Sequence, residues 1–359
     1  FPYTTLFRSS APLLVGGQGF QTITPMILTF ANNVSSRPLA ALLALFLGVA
    51  TIILLTIMIQ IEKRGHYMSV SKVKTTIVKQ KIRNPILNVL AHVYAYLLFL
   101  IYVIPVALVV LFSFTDSATI ASKHLTLSSF TLENYISIFQ KASSYKPFVV
   151  SIAYSAIAAS FVAIIVLIAC RILQKRKDRL GGALEYGLLI PWLLPTTLMA
   201  LGLITTYNTP RVWMFNKVLT GTSVIMLIGY IIIKIPFTLR MTKAAFFSLD
   251  DSLEDAARNM GAKPFYTFMR VQLPIILPTV LAIFALNFNG LLGDYDMSVF
   301  MYHPLNKPLG VYIKSLTDSE TNADNAALTF VYAVLMMIIS AAVMYLVYGR
   351  GNKVDKNKD

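Results

Sequence analysis

Seven apolar stretches, at about 39–60, 87–114, 147–170, 183–206, 222–239, 272–291 and 327–348, leave this chain few folds to choose from. A helix needs ~20 mostly apolar residues to cross the hydrocarbon core of a bilayer. Within that core every backbone N–H and C=O must be satisfied by the segment itself, so runs of this length fold as helices. The fold class is therefore all-α, a polytopic membrane protein. Composition agrees: 13% of residues are charged and 56% hydrophobic, whereas soluble domains carry about a quarter charged residues. The fifth run is short and ends in "KIPFTLR", where Lys234 is expected to snorkel to the interface. Pro191 and Pro195 are expected to kink the fourth run, and Pro274 and Pro278 mark the membrane entry of the sixth.

The net charge of +15 is explained by where the cations sit. Segments 61–86, 171–180, 234–270 and 349–359 hold twenty-two Lys and Arg, while the alternate loops 115–146, 207–221 and 292–326 hold seven. By the positive-inside rule the rich side is cytoplasmic, with the C-terminus there too. Nucleic-acid binding is then unnecessary as an explanation. The chain has no GxxxxGK[ST] phosphate loop, so any ATP that drives it binds another chain. Cys170 is a lone cysteine, and His66, His92, His124 and His303 are scattered without an HExxH pattern. No cofactor or metal site of this chain's own is expected.

The organisation along the chain follows. Residues 1–9, "FPYTTLFRS", look like a translated sequencing-adapter scar, with coding sequence lost upstream. Residues 10–60 read as the loop and last span of a preceding half. The basic segment 61–86 reads as a cytoplasmic linker, 87–350 as a complete six-span unit, and 351–359 as a cytoplasmic tail. The layout of "PLLVGGQGFQTITPMIL" and the span after it matches that of "SVFMYHPLNKPLGVYIKSL" and the last span. Such internal repeats are frequent in transport proteins.

One polar stretch interrupts the apolar pattern, "LEDAARNMGAKPFYTFMRVQLP" at 253–274. Leu253, Ala256, Ala257 and Met260 recur at helical spacing and share a face. Ser252 with Asp255 reads as a variant capping box, and Asp250, Asp251, Glu254 and Asp255 suit the positive end of the helix dipole. Gly261 follows the last apolar position as a left-handed stop, and Pro264 can open the next helix. A helix this short is marginal alone, and its small, acidic, alanine-rich character suits a protein groove better than lipid.

The stretch resembles the EAA loop of ATP-binding-cassette (ABC) importer permeases, which reads E-A-A, three residues, G, nine residues, I, one residue, L-P. Here it runs Asp255-Ala256-Ala257, Gly261, Val271 and Leu273-Pro274 at the same spacing, with Asp for Glu, Val for Ile, and Glu254 beside the Asp. The flanks "PFTLRMTKAAFFSLD" and "NGLLGDYDMSVFMYHP" look like the iron(III)-type branch. The resemblance implies a six-span type I (MetI-like) permease fold, plus the last span of a preceding half. It implies a coupling helix at 250–262 that docks in a cytoplasmic ABC ATPase dimer carrying the ATP. It also implies an extracytoplasmic solute-binding protein, membrane lipid and a missing first permease half as partners. The expected activity is uptake of a small solute, first ferric iron, with polyamine, phosphonate or thiamine as alternatives, and no catalysis by this chain.

Asn287, Asn289 and Asp294 leave two readings open. They form a polar strip at an outward mouth favouring a cationic or metal-bearing substrate, or the asparagines are interhelical glue beside ordinary loop acids. A secondary transporter would need ionisable residues at mid-membrane and discontinuous spans. A membrane enzyme would need convergent His, Asp, Glu or Cys. The sequence offers neither pattern clearly.

Overall fold

The computed structural model describes residues 23–64, 82, 84–122, 124–176, 178–210, 212, 216–250, 252–317 and 325–355. The adapter-like residues 1–9, most of the linker 61–86, Asp251 and residues 356–359 lie outside the described residues.

Helices dominate. In chain order they are Ile23–Asn32 (α1), Arg37–Arg64 (α2), Pro85–Ser113 (α3), Ser117–Ser122 (α4), Glu133–Gln140 (α5), Ala142–Lys175 (α6) and Arg179–Leu189 (α7). There follow Thr196–Tyr207 (α8), Ser223–Phe247 (α9), Ser252–Asn259 (α10) and Pro264–Thr267 (α11). A π turn, Phe268–Gln272, joins α11 to Leu273–Leu292 (α12), and Ser298–Met301 (α13), Leu309–Thr317 (α14) and Ala326–Asp355 (α15) complete the order. Among the described residues, six helical segments are long and apolar enough to span a bilayer, or seven if a bent helix pair counts as one.

That bent pair is the fourth apolar run, where a kinked but continuous span was expected. It is broken instead: the segments Arg179–Trp192 and Thr196–Tyr207 meet at 104°. Pro191 sits in the 3-10 turn Ile190–Trp192, and Pro195 takes an extended ψ of 140° as the cap of α8. Proline lacks an N–H and disfavours helical geometry in the residue before it, so two prolines four apart end one helix and start another. The first part is tied down by Lys243, which donates to Glu185, and by Arg240, whose guanidinium lies 4.7 Å from the Trp192 ring centroid. The fifth span is longer than its apolar run, reaching Phe247.

The chain divides into two compact units. The smaller is Leu55–Lys141 with Ser315–Leu335, and polar and aromatic contacts join its described residues. Ser117 Oγ accepts from Ala327 N–H (3.2 Å), Asn134 Nδ2 donates to the Thr115 carbonyl (2.9 Å), and the Phe112 and Phe330 rings lie 5.4 Å apart.

The larger unit holds the described residues up to Leu54, then Ala142–Lys314 and those from Met336 onward. Its centre is α6 against α9 and α12. Lipid tails are as apolar as leucine, so close packing must hold such helices together. Small residues on the buried face of α6 (Ser151, Ser155, Ala158, Ala159 and Ala169) permit that approach. Tyr154, Ile225, Met226, Tyr230 and Leu291 fill one core cluster, and Val162, Val166, Leu239, Phe246 and Ile276 a second. In a third, Ile27, Ala40 and Ala44 of α1 and α2 pack against Leu198 and Leu201 of α8.

At 34 residues, α6 is about 51 Å long, well beyond the ~30 Å hydrocarbon core. The excess carries Arg171 and Lys175 out of the bundle to the end where α10 lies.

Candidate functional site

The eight residues of α10 begin with an Asp250 turn and end in a glycine turn. Ser252 N–H donates to Asp250 Oδ1 (3.0 Å) and Leu253 N–H to the Asp250 carbonyl (3.2 Å). Ser252 is therefore the first residue of the helix, and Asp250, two residues earlier, supplies the capping oxygen that the sequence pattern assigned to Ser252. At the other end Gly261 takes φ +80°. Gly261 N–H bonds the Arg258 carbonyl (2.9 Å) and Ala262 N–H the Ala257 carbonyl (3.0 Å). This paired arrangement needs a left-handed residue, where glycine carries no Cβ penalty. Pro264 then occupies the first turn of α11, where its missing N–H costs nothing.

The apolar face of α10 is split by its surroundings. Ala257 is buried, at 3% exposure, whereas Leu253, Ala256 and Met260 are exposed, Met260 by 82%. Beside Ala257 and Met260 runs a surface groove of about 530 Å³, lined also by Gly261, Tyr266 and Val271.

The two acids of the motif part company. Asp255 is exposed, while Glu254 turns inward. Glu254 accepts two parallel hydrogen bonds from Arg171, Nη1 to Oε2 at 3.0 Å and Nη2 to Oε1 at 3.1 Å. Lys175 Nζ lies 3.0 Å from Oε1, and Gln272 Nε2 donates to Oε2 at 3.0 Å. The Arg171 hydrogen bonds and the nearby Lys175 ammonium hold the Glu254 carboxyl at about 2, against the opposing effect of partial burial. Arg171 also lies over the Phe268 ring (5.9 Å), which stacks on Phe246 of α9 (6.3 Å). Val271, Leu273 and Pro274 form the junction with α12: Val271 lines the groove, Leu273 packs on the core, and Pro274 is exposed in the first turn.

Sequence reasoning treated Arg171 and Lys175 only as topological charge and passed over Gln272. Arg171 and Glu254 are 83 residues apart, a separation that no local spacing rule spans.

The three polar residues of α12 and its exit do not act together. Asn287 is buried (2%) and donates to Thr238 Oγ1 of α9 at 2.7 Å, bonding one helix to the next. Asn289 and Asp294 instead line a cavity of about 410 Å³ with Gly290, Asp296, Met336 and Ser340. Asn289 Nδ2 makes a long bond to the Ser340 carbonyl (3.4 Å), and its buried Oδ1 has no partner. Asp294 Oδ2 accepts from the N–H groups of Met297 and Ser298 and from Ser298 Oγ, so it caps α13. Burial and the neighbouring Asp296 carboxylate push the Asp294 carboxyl up. Lys234 is half-buried, and its Nζ lies 2.8 Å from where a Cβ on Gly290 would stand, facing α12. Among the described residues, no three His, Cys, Asp or Glu side chains gather as a metal site requires.

The chain was compared with known proteins. A family model described as "Binding-protein-dependent transport system inner membrane component" matches residues 164–353. A Sinorhizobium fredii protein named "Probable ABC transporter permease protein y4fN" is 36% identical over 345 residues, covering 96% of this chain and 60% of y4fN. The chain thus spans three-fifths of that relative's length. A Salmonella paratyphi A protein named "Putative 2-aminoethylphosphonate transport system permease protein PhnV" is 24% identical over 59% of this chain and 78% of its own. Among solved structures, a bacterial ABC transporter involved in alginate import superposes with a TM-score of 0.60 at 14% identity, over 75% of this chain and 96% of that one; this shows the fold alone. With all-α spans, a punctuated polar helix at the root of one of them, and a family model over more than half its length, the chain belongs to the binding-protein-dependent transport system inner membrane components, the permeases of ABC importers.

Proposed function

We propose that this chain is the membrane-spanning subunit of an ATP-driven, binding-protein-dependent importer, and that α10 is its coupling helix. The observation that carries the reading is the division within α10. Glu254 fastens it to the spans and Ala257 is buried, while Leu253, Ala256 and Met260 stay exposed, Met260 at a groove. A helix too short to be stable alone, fixed beneath and open above, suits a partner surface that moves it. In this reading a cytoplasmic ABC ATPase dimer binds ATP and receives α10, an extracytoplasmic binding protein delivers solute to the other face, and α10 and the C-terminus lie in the cytoplasm. Energy enters through differential packing of α10 in two states, as rigid-body motion of the spans. No bond is made or broken by this chain.

For the cargo, ferric iron is the first candidate, on the resemblance to iron(III)-type permeases and on Asp294 and Asp296 at the 410 Å³ cavity, acids that suit a cationic cargo. A second reading is favoured by Lys234, whose amine lies against Gly290 of the cavity wall. Acids and an amine so close suit a zwitterion such as 2-aminoethylphosphonate, the solute in PhnV's name. The test is uptake of labelled iron(III) and 2-aminoethylphosphonate into vesicles holding the protein with its ATPase and binding protein. ATP-dependent accumulation of one of them supports the reading and selects the cargo. Absence of any association with an ATPase would sink the importer reading altogether.

A further inference from the structure

The Glu254 cluster joins elements distant in sequence, and its layout says how α10 is held. Among the described residues, Glu254 is the one side chain of α10 whose hydrogen bonds leave the helix. Both of its oxygens are used: Oε2 by Arg171 Nη1 and Gln272 Nε2, Oε1 by Arg171 Nη2 and Lys175 Nζ. Exposed ion pairs contribute little. This one is bidentate and networked, with only 15% of the Arg171 and 18% of the Glu254 side chain exposed, the geometry in which charge-assisted bonds are strongest and most directional. Arg171 is itself braced against Phe268, which stacks on Phe246. Without the cluster, α10 would keep its glycine turn and the contact at Ala257, and a push on it would be absorbed by bending at the turns.

We propose that Arg171 is a positioning residue: by gripping Glu254, which in turn holds Gln272, it makes α6, α10 and the root of α12 move as one body. The inference rests on α10 being the coupling helix. Arg171 touches neither cargo nor ATP; it decides whether displacement of α10 reaches two spans or is lost.

The test uses the protein reconstituted with its ATPase and binding protein, and reads three quantities: ATPase association, ATP hydrolysis, and solute taken up per ATP hydrolysed. In Arg171→Ala and Glu254→Gln, association and hydrolysis should persist while uptake per ATP falls about tenfold, a typical coupling strength. Gln272→Leu, which keeps volume and removes the amide, should show a smaller fall and serves if the charge variants fail to insert. Arg171→Glu combined with Glu254→Arg, made with Lys175→Gln and Arg258→Gln because both cations face Glu254 Oε1 (Lys175 Nζ at 3.0 Å, Arg258 Nη2 at 3.9 Å), should recover most of the lost coupling. Gln272 can turn its amide oxygen, unpartnered in this structure, toward the new guanidinium. Unchanged uptake per ATP in the single variants, or no recovery in an exchange variant that inserts and binds the ATPase, overturns the inference. Loss of ATPase association in Glu254→Gln also overturns it, since Glu254 would then be a docking residue. Failure of the unaltered protein to bind the ATPase is a different result: it removes the coupling reading itself.

Discussion

Single residues carry three expectations. Gly261 at φ +80° admits a β-branched side chain only with strain of about 1–3 kcal/mol. Gly261→Val should therefore insert normally but lose uptake while hydrolysis continues, read by transport and ATPase assays on the same vesicles. Asn287 and Thr238 make a buried bond between two spans, and such pairs contribute about 0.6 kcal/mol on average and at most ~1.7. Asn287→Leu should lower thermal stability in detergent slightly, in a way that vanishes in a Thr238→Val background, and should leave cargo selectivity alone because Asn287 does not line the cavity. Glu254 sets a pH window. Its carboxyl sits near 2 in the fold against an ordinary 4.5, so its contribution is fully present above about 4.5 and lost as pH falls through about 2. A fluorophore on Asn259→Cys should report a flat response from pH 8 to 5. Arg171→Ala should shift the acid change to higher pH, because the main cause of the depression is gone.

Among elements, the π turn Phe268–Gln272 makes the clearest statement. Pro274 lacks an N–H, and in a regular helix its ring would press on the carbonyl four residues back. The wider turn, with Leu273 N–H bonding the Phe268 carbonyl, relieves that contact just before the proline. It also leaves Gln272 buried and aimed at Glu254. An alanine inserted after Met269, which is exposed, gives the turn a second extra residue and should rotate everything before it by about 100° relative to α12. We expect a protein that inserts and folds yet couples poorly, checked by uptake per ATP hydrolysed. Much at this scale was legible beforehand. The Gly261 and Pro264 punctuation marks α10 because their backbone demands are local, and local demands are written in neighbouring residues. The break at Pro191 and Pro195 was legible only as a kink: proline spacing shows where a helix fails, whereas the 104° angle is set by what α7 and α8 pack against. The choice of Glu254 over Asp255 as the inward acid was not legible, since it depends on Arg171 arriving at the end of an overlong α6.

At the scale of the whole molecule, the charge pattern makes a prediction about sides. Cys170 is the one cysteine of the chain and is buried, so added cysteines can be labelled against a low background. Asn259→Cys should react with an impermeant maleimide only from the cytoplasmic side, and Leu305→Cys, at an exposed position, only from the opposite side. Labelling of both from one side contradicts the positive-inside assignment. By itself the sequence determined six of the seven expected spans, their alternation of charge and the short punctuated helix between two of them, because hydropathy, proline and glycine act within a few residues. Only the tertiary structure decided which acid anchors that helix, that Lys234 turns toward Gly290, and that Asn287 binds a helix while Asn289 faces a cavity. Those outcomes depend on which groups meet across tens of residues of chain, and helices packed without a hydrophobic drive between them choose such meetings by shape and hydrogen bonding.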